Sequence, residues 1–208
     1  MKPAETGVEN PHAPHYSPDA ARLAAAAGVE DSPDLVVPYR LREPLAPAVV
    51  AELEGREISG EVVLAAYAEL QRRHEFLVVE GAGGIAVPLN GDLDMAGLAL
   101  ALGLPLLVVS PTGLGAINGS MLTIAYARAR GLKVSGILLN LRGESPDLAE
   151  LTNPRVIAEL TGVPIYGPLD LLLSTGTSEP PEDRSAVEAI RHKCPGLVEA
   201  LVEAIYAG

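Results

Sequence analysis

The chain has 208 residues, 48% of them hydrophobic and 20% charged, with a formal net charge of −12. That length and balance fit a single globular domain, 1–208, with apolar mass for a core, and exclude a disordered chain. The acidic charge argues against a nucleic-acid binder working through a basic face, yet it leaves room for a local phosphate site built from backbone N–H groups and one lysine.

The Pro/His-rich residues 8–18 read as an irregular loop. Residues 18–27 then read as a helix, with Ser17 able to cap it, Pro18 in the first turn and Gly28 ending it. Leu35 to Tyr39 is expected to be a short extended segment, demoted to an edge by Pro38. Residues 46–53 and 60–74 carry helical spacing, with Val62, Val63, Ala66 and Leu70 on the second. From residue 76 the rhythm is regular. Phe76 to Val79 is wholly apolar, the pattern of a parallel strand buried on both faces. A helix (93–102), a strand (105–109), a helix (115–130), a strand (133–139), a helix (147–160) and a short strand (164–166) follow. A tail helix, 184–206, carries apolar residues at Val187, Ile190, Leu197, Leu201 and Ile205. Strands and helices alternating over short connections imply right-handed βαβ units, an α/β parallel sheet flanked by helices.

In such sheets ligands sit at the carboxyl ends of strands, so the residues just after each apolar run carry the chemistry. Glu80, Gly81, Ala82, Gly83 and Gly84 end one run: a carboxylate aimed into a crevice, followed by a turn that lets a nucleotide approach the backbone. The alternative is an ordinary tight turn with a solvated acid. Thr112 to Asn118 follows the next strand, and its helix start either holds an anion or is simply capped. Asn140 ends another strand, either reading a purine edge or turning the chain. Lys2-Pro3-Ala4-Glu5-Thr6-Gly7 presents one ammonium and one hydroxyl to an anionic substrate, or is a disordered terminus. Asp19 is a first-turn acid or a metal ligand. His12, His15, His74 and His192 have no ligand spacing and read as surface or loop residues. The lone Cys194 excludes an intramolecular disulfide and fits a reducing cytoplasm. No opening stretch resembles a signal peptide, and the longest apolar stretch, 95–109, is punctuated and short of a membrane span, so a soluble protein is expected.

In this order the segments resemble those of the dethiobiotin synthetases. That family runs Lys-Pro-x-x-Ser/Thr-Gly, an Asp opening a helix, Val-Glu-Gly-Ala-Gly-Gly with a Pro-Leu, a Gly-x-x-Asn helix start with Met/Leu-Leu-Thr, and a strand ending in Asn. Here these are Lys2 to Gly7, Asp19, Val79 to Gly84 with Pro88-Leu89, Leu114 to Asn118 with Met121-Leu122-Thr123, and Asn140. The resemblance implies a P-loop NTPase-like fold, ATP as co-substrate and Mg²⁺ as cofactor. It implies that 7,8-diaminopelargonate captures CO₂ (supplied as bicarbonate) as a carbamate, which ATP phosphorylates before the ureido ring closes. By the same resemblance Lys2 contacts the carbamate and the γ-phosphate, Thr6 the diamine, and Asp19 and Glu80 the metal. Gly81, Ala82 and Gly83 lie against nucleotide and substrate, Asn140 reads adenine, and Gly115 and Asn118 face the substrate carboxylate near a homodimer interface. Lys2, Asp19, Glu80 and Asn140 are then expected to converge on one crevice.

The family's opening strand, its Gly-x-x-x-x-x-Gly-Lys-Thr phosphate loop and the first helix have no counterpart in these 208 residues. The expectation is therefore a chain missing that segment, with apolar faces of 76–79 and 105–109 left open. The segment Gly167-Pro168-Leu169-Asp170 also departs from the family's adenine-side loop. Two relatives on the same fold are the alternatives: a regulatory module such as that fused to some phosphotransacetylases, or a cobyrinate diamide synthase-like enzyme. An inactive fragment is the third.

Overall fold

The computed structural model describes residues 1–11, 17–141, 146–169 and positions 196, 197 and 199. The expected tail helix, residues 170–172, His12, His15, His192 and Cys194 lie outside the described residues, apart from those three tail positions. The chain divides into two compact units, 1–102 and 103–208.

In the first unit, β1 (Ala4–Glu5) pairs in parallel with β2 (Tyr39–Arg40), Ala4 opposite Tyr39 and Glu5 opposite Arg40. The Lys2 N–H donates to the Val36 carbonyl (2.8 Å) and Leu41 N–H to the Glu5 carbonyl (2.8 Å), extending the pairing at both ends. Met1, Ala4, Glu5 and Val8 are buried. The opening segment is therefore a fixed part of the fold rather than a disordered terminus, because its backbone groups are satisfied by a neighbouring strand.

Helix α1 (Pro18–Ala27) begins as expected: the Ser17 side chain accepts from Ala20 N–H, Pro18 occupies the first turn and left-handed Gly28 closes the helix. The extended segment expected at 35–39 is instead split. Residues Pro33–Val36 form α2, and only Tyr39–Arg40 is strand. The reason is local: Ser32 caps Asp34 N–H and Pro33 is pre-set for the first helical turn, which outweighs the β-branched valines. Ala20, Val36 and Val37 form a small core there, with Leu23 packed against it. Helices α3 (Pro47–Leu53), α4 (Gly60–Arg73) and α5 (Met95–Leu102) follow. The buried residues of α4, Val63, Ala66, Tyr67 and Leu70, keep the helical period.

Phe76 to Val79 forms no assigned strand, and it is not buried on both faces. It is extended beside Met1, whose nitrogen donates to Val78 O (2.8 Å) and whose carbonyl accepts from Glu80 N–H (2.8 Å). Phe76 and Val78 are exposed. Apolar side chains signal a demand for burial; the described residues put a hydrogen-bonded neighbour on one edge of the segment.

In the second unit, β3 (Leu106–Pro111), β4 (Val134–Asn140) and β5 (Ile165–Leu169) form a parallel sheet in the order β3-β4-β5. Helices α6 (Ala116–Ala129) and α7 (Leu148–Thr161) are the crossovers. Ile137 and Leu139 on the central strand are fully buried against Ala116, Ile124, Ile157 and Val163, each such side chain contributing about 1.5–3 kcal/mol. Val109, by contrast, is exposed. Helix α7 starts on a reciprocal cap: Asp147 accepts from Glu150 N–H (2.8 Å) and Glu150 accepts from Asp147 N–H (3.1 Å). Parallel β-α-β order places Pro111 and Asn140 at the carboxyl ends of adjacent strands, directly paired in register.

Candidate functional site

In residues 1–102 three of the expected site residues meet. The Lys2 ammonium donates to Asp19 Oδ2 and to Glu80 Oε1, the latter at 3.2 Å. Lys2 is largely shielded, with 16% of its side chain exposed, against 25% for Asp19 and 54% for Glu80. Each is brought there by a different element. Lys2 lies two residues before β1, Asp19 lies in the first turn of α1, and Glu80 ends the extended segment beside Met1. Arg22, one turn along α1, lies 3.7 Å from the other Asp19 oxygen. Burial acts to lower the Lys2 pKa, but the hydrogen bond it donates to Asp19 and the charges of Glu80 and Asp19 outweigh it, so the ammonium is held above the ordinary lysine value. The result is one cation gripped between two carboxylates.

That donor set fits Mg²⁺. Two hard oxygen donors already surround a cationic group, and Mg²⁺ is held by one or two carboxylates, with phosphate oxygens and water completing its shell. Among the described residues no group of three or more His, Cys, Asp or Glu could enclose a metal alone.

Asp19 is itself anchored. Glu5, buried in β1, accepts from Asp19 N–H (3.0 Å) through Oε1 and from the Ser17 hydroxyl (2.5 Å) through Oε2. Ser17 Oγ in turn accepts from Ala20 N–H (3.0 Å). Beyond Glu80 the chain turns sharply. Ala82 is buried, while Gly81 and Gly83 are exposed. Gly83 has φ +83°, which favours glycine, and a Cβ there would lie 3.1 Å from a Val87 methyl, a tight contact. Thr6 follows β1, half-buried.

In residues 103–208 the expected residues cluster around the ends of β3 and β4. Gly115 caps α6, and Asn118 is exposed in its first turn. Asn140, exposed, ends β4. Its carbonyl accepts from Thr112 N–H (3.2 Å) and from the Thr112 hydroxyl (3.3 Å), which also lies 3.3 Å from Glu150 Oε1. The buried Asn153 amide donates to Thr112 O (2.8 Å) and Gly113 O (3.0 Å). Helix α7 thus ties the loop before α6 to the end of β4.

The sequence reading did not single out Glu5, Glu150 or Asn153. The Asp147-x-x-Glu150 spacing is a readable capping signal. Nothing local marks Glu5 or Asn153, whose partners lie 14 and about 40 residues away. His74 stands in the loop after α4, within its surface-or-loop reading, and has a partner the sequence did not name. It is half-buried, and its Nε2 lies 2.5 Å from Asp31 Oδ2, with Arg73 3.2 Å from the same carboxylate.

The AAA domain family model matches residues 1–177, which makes the fold P-loop NTPase-like. The chain is similar to the ATP-dependent dethiobiotin synthetase BioD of Anaeromyxobacter sp. (strain Fw109-5), 45% identical over 162 residues covering 78% of this chain and 71% of that protein. It is similar to proteins of the same name from Aquifex aeolicus (strain VF5), 42% identical over 80% of this chain and 72% of the relative, and from Bacillus subtilis (strain 168), 39% identical over 80% and 71%. With the ordered motifs and the grip of Lys2 on Asp19 and Glu80, these similarities make the chain a member of the dethiobiotin synthetase family, an enzyme family whose named members are ATP-dependent.

Proposed function

We propose that the chain serves the ATP- and Mg²⁺-dependent closure of a cyclic urea, converting 7,8-diaminopelargonate and CO₂ to dethiobiotin with release of ADP and phosphate. The observation that carries this reading is the Lys2 ammonium held between Asp19 and Glu80. One amine of the diamine captures CO₂ as a carbamate, the carbamate oxygen accepts the γ-phosphoryl group, and the second amine attacks the carbonyl carbon and displaces phosphate. Such chemistry is mostly positioning and charge neutralisation.

Lys2 supplies a fixed positive charge to the carbamate and the transferred phosphoryl group. Asp19 and Glu80 would hold the magnesium ion, which when bound offsets phosphate charge. Gly81, Ala82 and Gly83 give nucleotide and substrate access to backbone, and the Thr6 hydroxyl contacts the diamine. In residues 103–208, Asn140 presents an exposed amide to the adenine edge, while Gly115 and Asn118 at the start of α6 face the substrate carboxylate, where anions are favoured. The protein works in the cytoplasm as a homodimer. The described residues include no helix long and apolar enough to cross a membrane.

The test is to incubate the purified chain with ATP, MgCl₂, bicarbonate and diaminopelargonate and to follow dethiobiotin by mass spectrometry, with Lys2→Met as control. Dethiobiotin that depends on all four components and on Lys2 supports the proposal. Nucleotide binding without product would favour a regulatory relative on the same fold.

A further inference from the structure

Glu5 is a buried carboxylate, 5% exposed, that none of the roles above uses. Burying such a group is costly unless hydrogen bonds and a favourable field offset it. Here both oxygens are engaged, one by Asp19 N–H and one by the Ser17 hydroxyl, and both partners lie at the start of α1, where the helix end favours an anion. Glu5 is itself immobilised, since β1 is paired with β2 and its carbonyl accepts from Leu41 N–H (2.8 Å). Two residues of one extended stretch therefore hold Asp19 from opposite ends: Lys2 by the carboxylate, Glu5 by the main-chain nitrogen.

The two grips differ in what they permit. The carboxylate must leave Lys2, at least in part, to ligate a divalent cation, whereas the amide bond to Glu5 involves no atom that a metal needs. We infer that Glu5 is a positioning residue that fixes the backbone of Asp19, so that the Asp19 carboxylate passes from Lys2 to a divalent cation without displacement of α1. The inference rests on the proposed metal role of Asp19. It requires an acceptor at the Asp19 amide rather than a negative charge there.

The test uses the full chain and Mn²⁺ with ATP, with free and bound Mn²⁺ quantified by electron paramagnetic resonance and folding followed by circular dichroism. Glu5→Met, which keeps the volume and removes both acceptors, is expected to weaken Mn²⁺ binding about tenfold or more, the usual effect of losing a partner that orients a metal ligand. Glu5→Gln, whose amide oxygen still accepts from Asp19 N–H, is expected to stay within about twofold of wild type. Ser17→Ala removes the helix cap but leaves the Glu5–Asp19 bond, so it should lower the melting temperature and spare Mn²⁺ affinity. Unchanged binding in Glu5→Met overturns the inference. So does Glu5→Gln binding as weakly as Glu5→Met, or a matching loss in Ser17→Ala, which would make the effect one of general loosening. Should Glu5→Met fail to fold, a loss of Mn²⁺ affinity well beyond about twofold in Glu5→Gln or in Ser17→Ala overturns the inference. Absence of Mn²⁺ binding by the wild-type chain would overturn the metal role of Asp19 and this inference with it, an outcome distinct from wild-type binding that Glu5→Met leaves intact.

Discussion

Replacing Lys2 by methionine tests whether the ammonium stands where a divalent cation can go. The substitution keeps most of the apolar stem of the side chain and removes its charge, leaving Asp19 and Glu80 without the group that bridges them. The bond to the partly shielded Asp19 is charge-assisted and worth about 1.5–3 kcal/mol before burial of the ammonium is set against it. The bond to Glu80, a residue more than half exposed, adds little. A net loss of about 1.5 kcal/mol follows, or a fall of about 3–6 °C in melting temperature for a chain of this size. Added Mg²⁺ should then return most of it: if the vacated carboxylates bind the ion with a Kd of about 1 mM, about 10 mM metal stabilises by about 1.4 kcal/mol. In the wild type the ammonium competes, and the gain should be small. The assay is thermal unfolding by circular dichroism with and without MgCl₂ at constant ionic strength. A variant that melts with the wild type, or a metal-induced shift equal in the two proteins, would refute the reasoning. The folded pKa of Lys2 is raised, so the ion pair's stabilisation is complete below the unfolded lysine value of 10.5 and is lost only as pH rises through the folded value. The comparison at pH 7–8 is therefore free of this titration.

Other outcomes are expected from the second unit. Asn153→Leu leaves the carbonyls of Thr112 and Gly113 without their donor; urea unfolding should show a loss of about 2–4 kcal/mol, and a loss under 0.5 kcal/mol would mean that water replaces the amide. Gly136→Ala places a Cβ 2.3 Å from the Tyr166 ring and 3.3 Å from the Pro164 carbonyl, so the β4–β5 pairing must shift at a cost of about 1–3 kcal/mol, read from the same denaturant curves. Asn140→Ala should lower the preference for ATP over CTP about three- to tenfold in KM while leaving stability within about 0.5 kcal/mol, because the residue is exposed and the substitution keeps its backbone pairing.

Much of the architecture was legible because the signals are local. Ser17-Pro18 and Gly28 bound α1 in the sequence and in the structure, and the alternation after residue 103 gave β3, α6, β4, α7 and β5 within a few residues of their observed ends. The misreadings are as instructive. Valines at 36 and 37 favour strand, but Ser32 and Pro33 set a helical turn first. Phe76 to Val79 reads as a buried strand because composition reports what a segment would bury, and pairing depends on neighbours that composition does not name.

The site divides along the same line. The sequence alone determined which chemistry-bearing residues exist and the local placement of three of them: Asp19 and Gly115 at helix starts and Asn140 at a strand end. Only the tertiary structure decided that Lys2 bonds both acids across 17 and 78 residues, that Glu5 holds Asp19 from inside β1, and that Asn153 steers a loop some 40 residues upstream. The physical reason is range. Caps, turns and periodicity act over a few bonds and leave their mark in neighbouring letters, whereas the partner of a buried polar group is chosen by which strands and helices pack together, and that choice is written in no single stretch of the chain.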